Sequence, residues 1–270
     1  VIENNGLLCH ENALVSASQA LANEIGASRV DEFVASGIDE QHLRAFLAAF
    51  PDWRADIEER PSFVVDLATV RAMGGDVLQC VSPNTRSQIR RAVRRYEESA
   101  QLEVEMATTV AEATSMLEEL IALHTQRWRA EGQSGAFASP ARRAFHFDFV
   151  SRGVQRETAV LLRVRSGPTT VGVLYFLCAN GMANFYQGGF ARTDDPHLKP
   201  GLVSHSFAIR HFARRGFVEY DFLASPQAES RYKQSLSTNQ RTLYWLTLAR
   251  PSLKNALLES ARRARSSFRR

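Results

Sequence analysis

Residues 184–233 read NFYQGGFARTDDPHLKPGLVSHSFAIRHFARRGFVEYDFLASPQAESRYK, and the fold turns on how this stretch is parsed. An aromatic strand through Phe185 and Tyr186 leads into a loop that ends at Lys199-Pro200-Gly201. An amphipathic helical run to Arg215 follows at once. Proline suits the first helical position because its missing N–H would have had no intrahelical partner there. A helix N-terminus with unspent N–H groups is thereby offered to an anion such as phosphate. Beyond the helix, a strand carries Asp221 between Tyr220 and Phe222, and a short polar turn ends in Tyr232-Lys233. An active site is expected along this stretch.

Upstream, alternating apolar runs at 158–165, 170–179 and 182–190 read as three strands. They are separated by Ser166-Gly167-Pro168 and by Asn180-Gly181, and Asn-Gly between such runs is a strong hairpin signal. Helices are expected at 109–129 and from Ser139-Pro140 to Gly153, and a strand at 102–107. Ser82-Pro83 opens a helix to about Ser99 in which Arg86, Arg90 and Arg94 share one face, four residues apart. That face reads either as a solvated basic surface or as a contact for phosphates. Nearer the N-terminus, a helical run closes at Gly26, Asp39 caps a helix through Phe50, and 62–67 alternates as a strand. A last strand at 242–249 precedes a helix from Pro251 with a basic tail.

Composition bounds the answer. The chain has 270 residues of which 44% are hydrophobic, enough for one or two domains with a real core. Net charge is +4, which permits an acidic partner without requiring one. No apolar run approaches the ~20 residues of a membrane span. Val1 is followed by no signal-peptide pattern, and a processed or truncated N-terminus is compatible with this start. Cys9, Cys80 and Cys178 lack ligand-like spacing and fit a reducing compartment, so a cytoplasmic location is expected. Cys178 lies in an apolar strand and reads as a small buried hydrophobe.

Several short words now line up in order: Arg86 with Ile89-Arg90-Arg91; Leu123-His124 with Arg127-Trp128; Gly132, Gly135 and Phe137; Phe185-Tyr186 with Gly189-Phe190; Pro200-Gly201; Asp221-Phe222-Leu223; Tyr232-Lys233. With the order of elements, they resemble the GNAT acyltransferases, and more narrowly those of the CelD/BcsL type, relatives of the Fem aminoacyltransferases. The resemblance runs from about Asp66 to Ala249. It implies an α/β fold with a mixed, mostly antiparallel sheet flanked by helices. It also implies a GNAT domain at 81–270 preceded by a partial GNAT-like half at 1–80. Two departures stand out. Lys199 occupies the place usually held by a small residue before Pro-Gly, and Ala224-Ser225-Pro226 replaces the usual glycine after Asp-Phe-Leu.

Acyl transfer from a thioester needs a neutral nucleophile, donors for the developing oxyanion and a cradle for the carrier's phosphates. By this resemblance the oxyanion donor lies at a bulge in the strand around Tyr186, Gln187, Gly188 and Gly189. The cradle is Lys199, Pro200 and Gly201 with the first-turn N–H groups of Gly201, Leu202, Val203 and Ser204. Asp221 is the candidate base, or else the holder of a neighbouring cation. Tyr186 and Lys233 are the other catalytic candidates. His124, Arg127, Trp128, Tyr232 and Arg90 are candidates for the acceptor. The expected donor is acetyl-CoA or another acyl-CoA, with direct transfer, because no Gly-x-Ser-x-Gly or Cys-His arrangement suggests an acyl-enzyme. His205 and His211 are poorly spaced for a shared ion, so no metal is expected.

The expected acceptor is a small molecule or glycan precursor, possessing an amine or a hydroxyl. Two rival readings differ in class: a Fem-like enzyme drawing on aminoacyl-tRNA, suggested by the basic helix and tail, and a non-catalytic module that docks an acidic partner.

Overall fold

The computed structural model describes residues 3, 5–224 and 231–252. In chain order the elements are α1 (Leu14–Ala27), β1 (Glu32–Ile38), α2 (Glu40–Ala49), β2 (Arg54–Asp66), α3 (Leu67–Ala72) and α4 (Pro83–Glu97). Then come β3 (Leu102–Met106), α5 (Val110–Ala130), α6 (Pro140–Gly153), β4 (Ala159–Ser166), β5 (Thr169–Ala179) and β6 (Met182–Phe190). The last are α7 (Pro200–Arg214), β7 (Glu219–Ala224), α8 (Arg231–Leu236) and β8 (Asn239–Ala249). The expected helix from Pro251 lies outside the described residues.

Several helices begin where the sequence provides a side-chain cap. The Thr109 hydroxyl accepts from the Glu112 N–H while the Glu112 carboxylate accepts from the Thr109 N–H, a reciprocal box at the start of α5. Ser82 accepts from Thr85 N–H at α4, and Asp39 accepts from His42 N–H at α2. At the Asn180-Gly181 turn both residues have positive φ, 51° and 75°, as a two-residue hairpin requires. Gly26 does not end α1, which continues to Ala27.

The chain divides into two compact units. One comprises residues 63–223 and 228–240, the other residues 1–62, 224–227 and 241–270. The expected domain boundary at 80/81 falls inside the first of these. In that larger unit the strand order is β7-β6-β5-β4-β3. The pairs β3/β4, β4/β5 and β5/β6 are antiparallel, and β6/β7 is parallel. The sheet is thus mixed and mostly antiparallel, with helices over it, as expected.

Alternation along β4 and β5 feeds two cores. Val160, Leu162, Leu174 and Phe176 face α7, where they meet Ala208, Ile209 and Phe212. Leu161, Val173 and Tyr175 face α5 and α6, where they meet Leu117, Leu120 and Val150. Both faces of these strands are buried, so each reads as an almost unbroken apolar run. Cys178 is buried in the first core. The smaller unit has strand order β1-β8-β2 and its own core, in which Phe46 and Phe50 of α2 pack with Ile38, Leu246 and Leu248. Among the described residues no helix is long and apolar enough to cross a membrane.

Candidate active site

The site grows from the way β6 and β7 part. They pair in parallel only at Met182↔Glu219, Ala183↔Tyr220 and Asn184↔Asp221. Beyond Asn184, β6 continues to Phe190 paired with β5 alone among the described residues. Its register slips where Tyr175 faces Gln187 and Phe176 faces Phe185, which leaves Tyr186 as the extra residue of a bulge.

Past β6 the chain loops to Lys199, whose φ of 43° and ψ of 56° lie in the left-handed region. For a non-glycine residue this conformation costs about 1–2 kcal/mol. Lys199 makes no side-chain cap bond to the helix. The first intrahelical bond of α7 runs from Val203 N–H to Lys199 C=O, 3.1 Å. Pro200 has no N–H, so Gly201 and Leu202 carry the amides that precede the ladder.

These amides stand at a pocket of about 820 Å³. Its walls come from the last turns of α5, the end of β6, the start of α7 and α8. Of the residues expected at the site, Arg127, Lys199, Pro200, Gly201, Leu202 and Tyr232 line it. Arg192, Lys199 and Arg231 bring positive charge to the wall, while Arg127 there pairs with Glu131 at 3.1 Å. An added Cβ on Gly201 would meet nothing nearer than the Phe190 ring at 3.9 Å. The glycine leaves that space to the pocket.

The other expected residues lie elsewhere. Val203 and Ser204 are fully buried in α7 and do not line the pocket. Nor do Gln187, Gly188 and Gly189. Gly189 has a packing role of its own: a Cβ there would sit 2.6 Å from the Leu120 carbonyl oxygen, so its absence lets α5 lie on β6. Asp221 is wholly buried, and its Oδ1 accepts from the Leu223 N–H at 2.8 Å. Leu223 itself has φ 58°. The Lys233 ammonium is buried and donates to the Phe222 and Leu223 carbonyls at 2.7 and 3.0 Å. Asp221 and Lys233 thus both hold the end of β7. Arg90 lines a separate groove.

A second group forms on the α5/α6 side of the sheet. There Phe137 and Tyr186 meet His146 of α6, and Trp128, Gly135 and the same Phe137 meet His124. Trp128 Nε1–H donates to His124 Nε2 at 2.7 Å, which puts the His124 proton on Nδ1. That nitrogen lies against Gly135, whose φ is +69° and whose missing Cβ would fall 3.2 Å from it. His146 Nε2 and the Tyr186 hydroxyl are 2.9 Å apart. The His146 ring also meets Phe137 and Tyr175 edge-to-face at 5.5 and 5.7 Å. Burial, with the charge of Arg127, lowers the His124 pKa to about 4. Burial and the charge of Arg142 lower that of His146, and burial raises that of Tyr186. All three are neutral near pH 7.

Under the pocket wall lies a third ring system. Tyr232 stacks on His205 at 5.5 Å, and His205 Nδ1 is 2.6 Å from the Tyr220 hydroxyl. Burial, with the charge of Lys233, lowers the His205 pKa to about 3. The unfolded chain binds these protons near pH 6.5 and the folded chain does not, so stability is complete above that pH. It should fall as the pH drops toward 4 and then 3, by up to ~1.4 kcal/mol per pH unit for each group. Thermal melts of a His124→Gln/His205→Gln double variant should show a shallower acid decline than the parent; an identical slope would contradict this assignment.

Sequence reasoning overlooked Gln88, Gln126, Arg192, Thr193, Arg231 and Ser235 in the pocket wall. Arg231, Tyr232 and Ser235 would have stood out had 231–236 been read as helix, since that spacing places them on one side. His146 was visible only as a lone histidine among phenylalanines.

A mixed sheet whose parallel pair opens beside a helix N-terminus, over a roomy pocket with cationic walls, is the frame of an acyltransferase. The chain belongs to the acetyltransferase (GNAT) domain family, which matches residues 83–234, and it is an acyltransferase. No curated protein matches the sequence. Solved structures share the fold at low identity. FemX superposes with a TM-score of 0.61 at 11% identity, over 90% of this chain and 79% of that one. L-PGS from Bacillus licheniformis gives 0.60 at 12%, over 94% and 79%. The C-terminal domain of a putative lysylphosphatidylglycerol synthetase from Agrobacterium fabrum gives 0.60 at 13%, over 93% and 77%.

Proposed function

We propose that this acyltransferase uses an acyl-CoA donor and passes an acetyl or longer acyl group directly to an amine or hydroxyl. The observation that carries this reading is the start of α7. Two amides without intrahelical partners, a glycine with open space and the exposed Lys199 meet at the wall of the 820 Å³ pocket. Amide N–H groups at a helix N-terminus favour the negative charge of a diphosphate, and the volume suits an extended carrier arm. The group around Tyr186, His146, His124 and Trp128 is the acceptor side in this reading. Its neutral imidazoles and phenol suit a polar, uncharged partner. A sugar or cell-envelope polysaccharide precursor fits that chemistry, in line with the resemblance to CelD/BcsL-type enzymes. Tyr186, Asp221 and Lys233 remain candidates for the chemical step, Asp221 and Lys233 by fixing the end of β7.

Calorimetry with CoA and acetyl-CoA tests the donor. Gly201→Val should weaken CoA binding at least about tenfold, a loss of ~1.4 kcal/mol, with the melting temperature unchanged. If the parent chain binds neither molecule, the reading fails.

The second reading, transfer from aminoacyl-tRNA, draws support from arginines of α4 that have no partner among the described residues. It requires a tRNA complex whose affinity falls steeply with salt.

A further inference from the structure

A second groove, of about 240 Å³, lies between α4 and α7. Leu78, Ile89, Val93 and Phe207 contribute its apolar surface, and Arg90, Arg94 and Arg210 its cations, with Glu97 at the edge. The arginines of α4 divide by role. Arg86 donates to the Leu78 and Val81 carbonyls, at 2.7 and 3.3 Å. Arg95 pairs with Glu98 and Asp195. Arg90 and Arg94 are exposed and have no partner among the described residues. Across the groove, Arg210 has Asp76 only at 3.6 Å, and its guanidinium sits 5.2 Å from the Phe207 ring centroid.

Cations converging from two helices repel one another, so they raise the energy of the fold unless an anion lies among them. Guanidinium groups present a planar fork that matches phosphate oxygens two at a time. The groove is smaller than the ~300 Å³ at which ordinary ligand pockets begin, so its ligand is small. The apolar surface at Phe207 and Val93 gives the non-phosphate part of that ligand somewhere to lie. We propose that this groove is a binding site for a phosphorylated small molecule, separate from the donor pocket. The proposal does not depend on the identity of the acyl donor. The two sites share helices, since Gln88 and Gly201 face the larger pocket, while Arg90, Arg94 and Phe207 face the smaller one.

The test is calorimetry on the full chain with AMP, glucose 6-phosphate and inorganic phosphate as probes. At least one organic phosphate should bind at a single site, about tenfold or more tighter than inorganic phosphate. Arg90→Ala/Arg94→Ala should weaken it at least about tenfold and leave both the melting temperature and CoA affinity unchanged. Arg143→Ala/Arg156→Ala, which removes exposed arginines elsewhere, should change nothing. The proposal is overturned if no organic phosphate saturates, or if the control pair causes the same loss. It is also overturned if CoA displaces the probe while 3′-dephospho-CoA does not, because the groove would then belong to the donor site. A complex with tRNA that is lost on Arg90→Ala/Arg94→Ala, without any small-phosphate binding, would assign the arginines to RNA instead.

Discussion

Gly189→Ala is expected to lower the free energy of unfolding by about 2–3 kcal/mol, the cost of forcing extra volume into a packed interface. The new methyl would lie 2.6 Å from the Leu120 carbonyl oxygen, 3.0 Å from the Leu120 Cα and 2.9 Å from the Leu123 Cβ. Two of these three atoms are α5 backbone, so a rotamer change cannot relieve the contact. Either α5 lifts from β6 or β6 bends. The same replacement at Gly201 should stay within about 0.5 kcal/mol of the parent, as surface changes generally do. Urea denaturation of the two variants checks the contrast. Equal stabilities would mean that α5 does not lie on β6 as closely as this. The pair separates two uses of glycine that look alike in sequence: at Gly189 the vacated space is filled by the protein, and at Gly201 it opens to the pocket.

Lys233→Met should be as damaging, by about 3 kcal/mol. Methionine keeps the length of the side chain and removes the ammonium that donates to the Phe222 and Leu223 carbonyls. Each buried acceptor left without a donor costs about 1–3 kcal/mol, more when the lost bond was charge-assisted. The damage should be local to the end of β7, where Leu223 already holds a left-handed backbone. A drop in melting temperature alongside any loss of transfer is the expected outcome. A variant as stable as the parent but unable to transfer would instead give Lys233 a direct part in the chemistry.

The parts of the fold that were legible in sequence are those whose cause is local. Asn180-Gly181 names its own turn, Pro200-Gly201 marks the start of α7, and the near-continuous apolar runs of β4 and β5 follow from burial on both faces. The strand β2 was legible only at its end. Its first six residues, Arg54 to Glu59, are all exposed, so no alternation betrays them. The short helices α3 and α8 were missed because six residues are too few to display a period. For the site, the divide is the same. Lys199, Pro200, Gly201 and Leu202 were read from a local signal and line the pocket, whereas Val203 and Ser204, read with them, are buried in α7. Lys233 carried no sign of its task, since its partners are main-chain oxygens of another element. His146 acquires meaning only through Tyr186, which the fold brings to it from a strand three elements further along the chain.

The brief parallel contact between β6 and β7 also has a kinetic meaning. The turns within the β4–β6 meander close over two residues, so they form at small entropic cost. Joining β7 to β6 closes a loop that contains all of α7, with three residue pairs to hold it. The hairpins of the meander are therefore expected to form before the parallel seam. The opening at which the donor is proposed to bind thus lies next to a junction that waits on the meander and on α7.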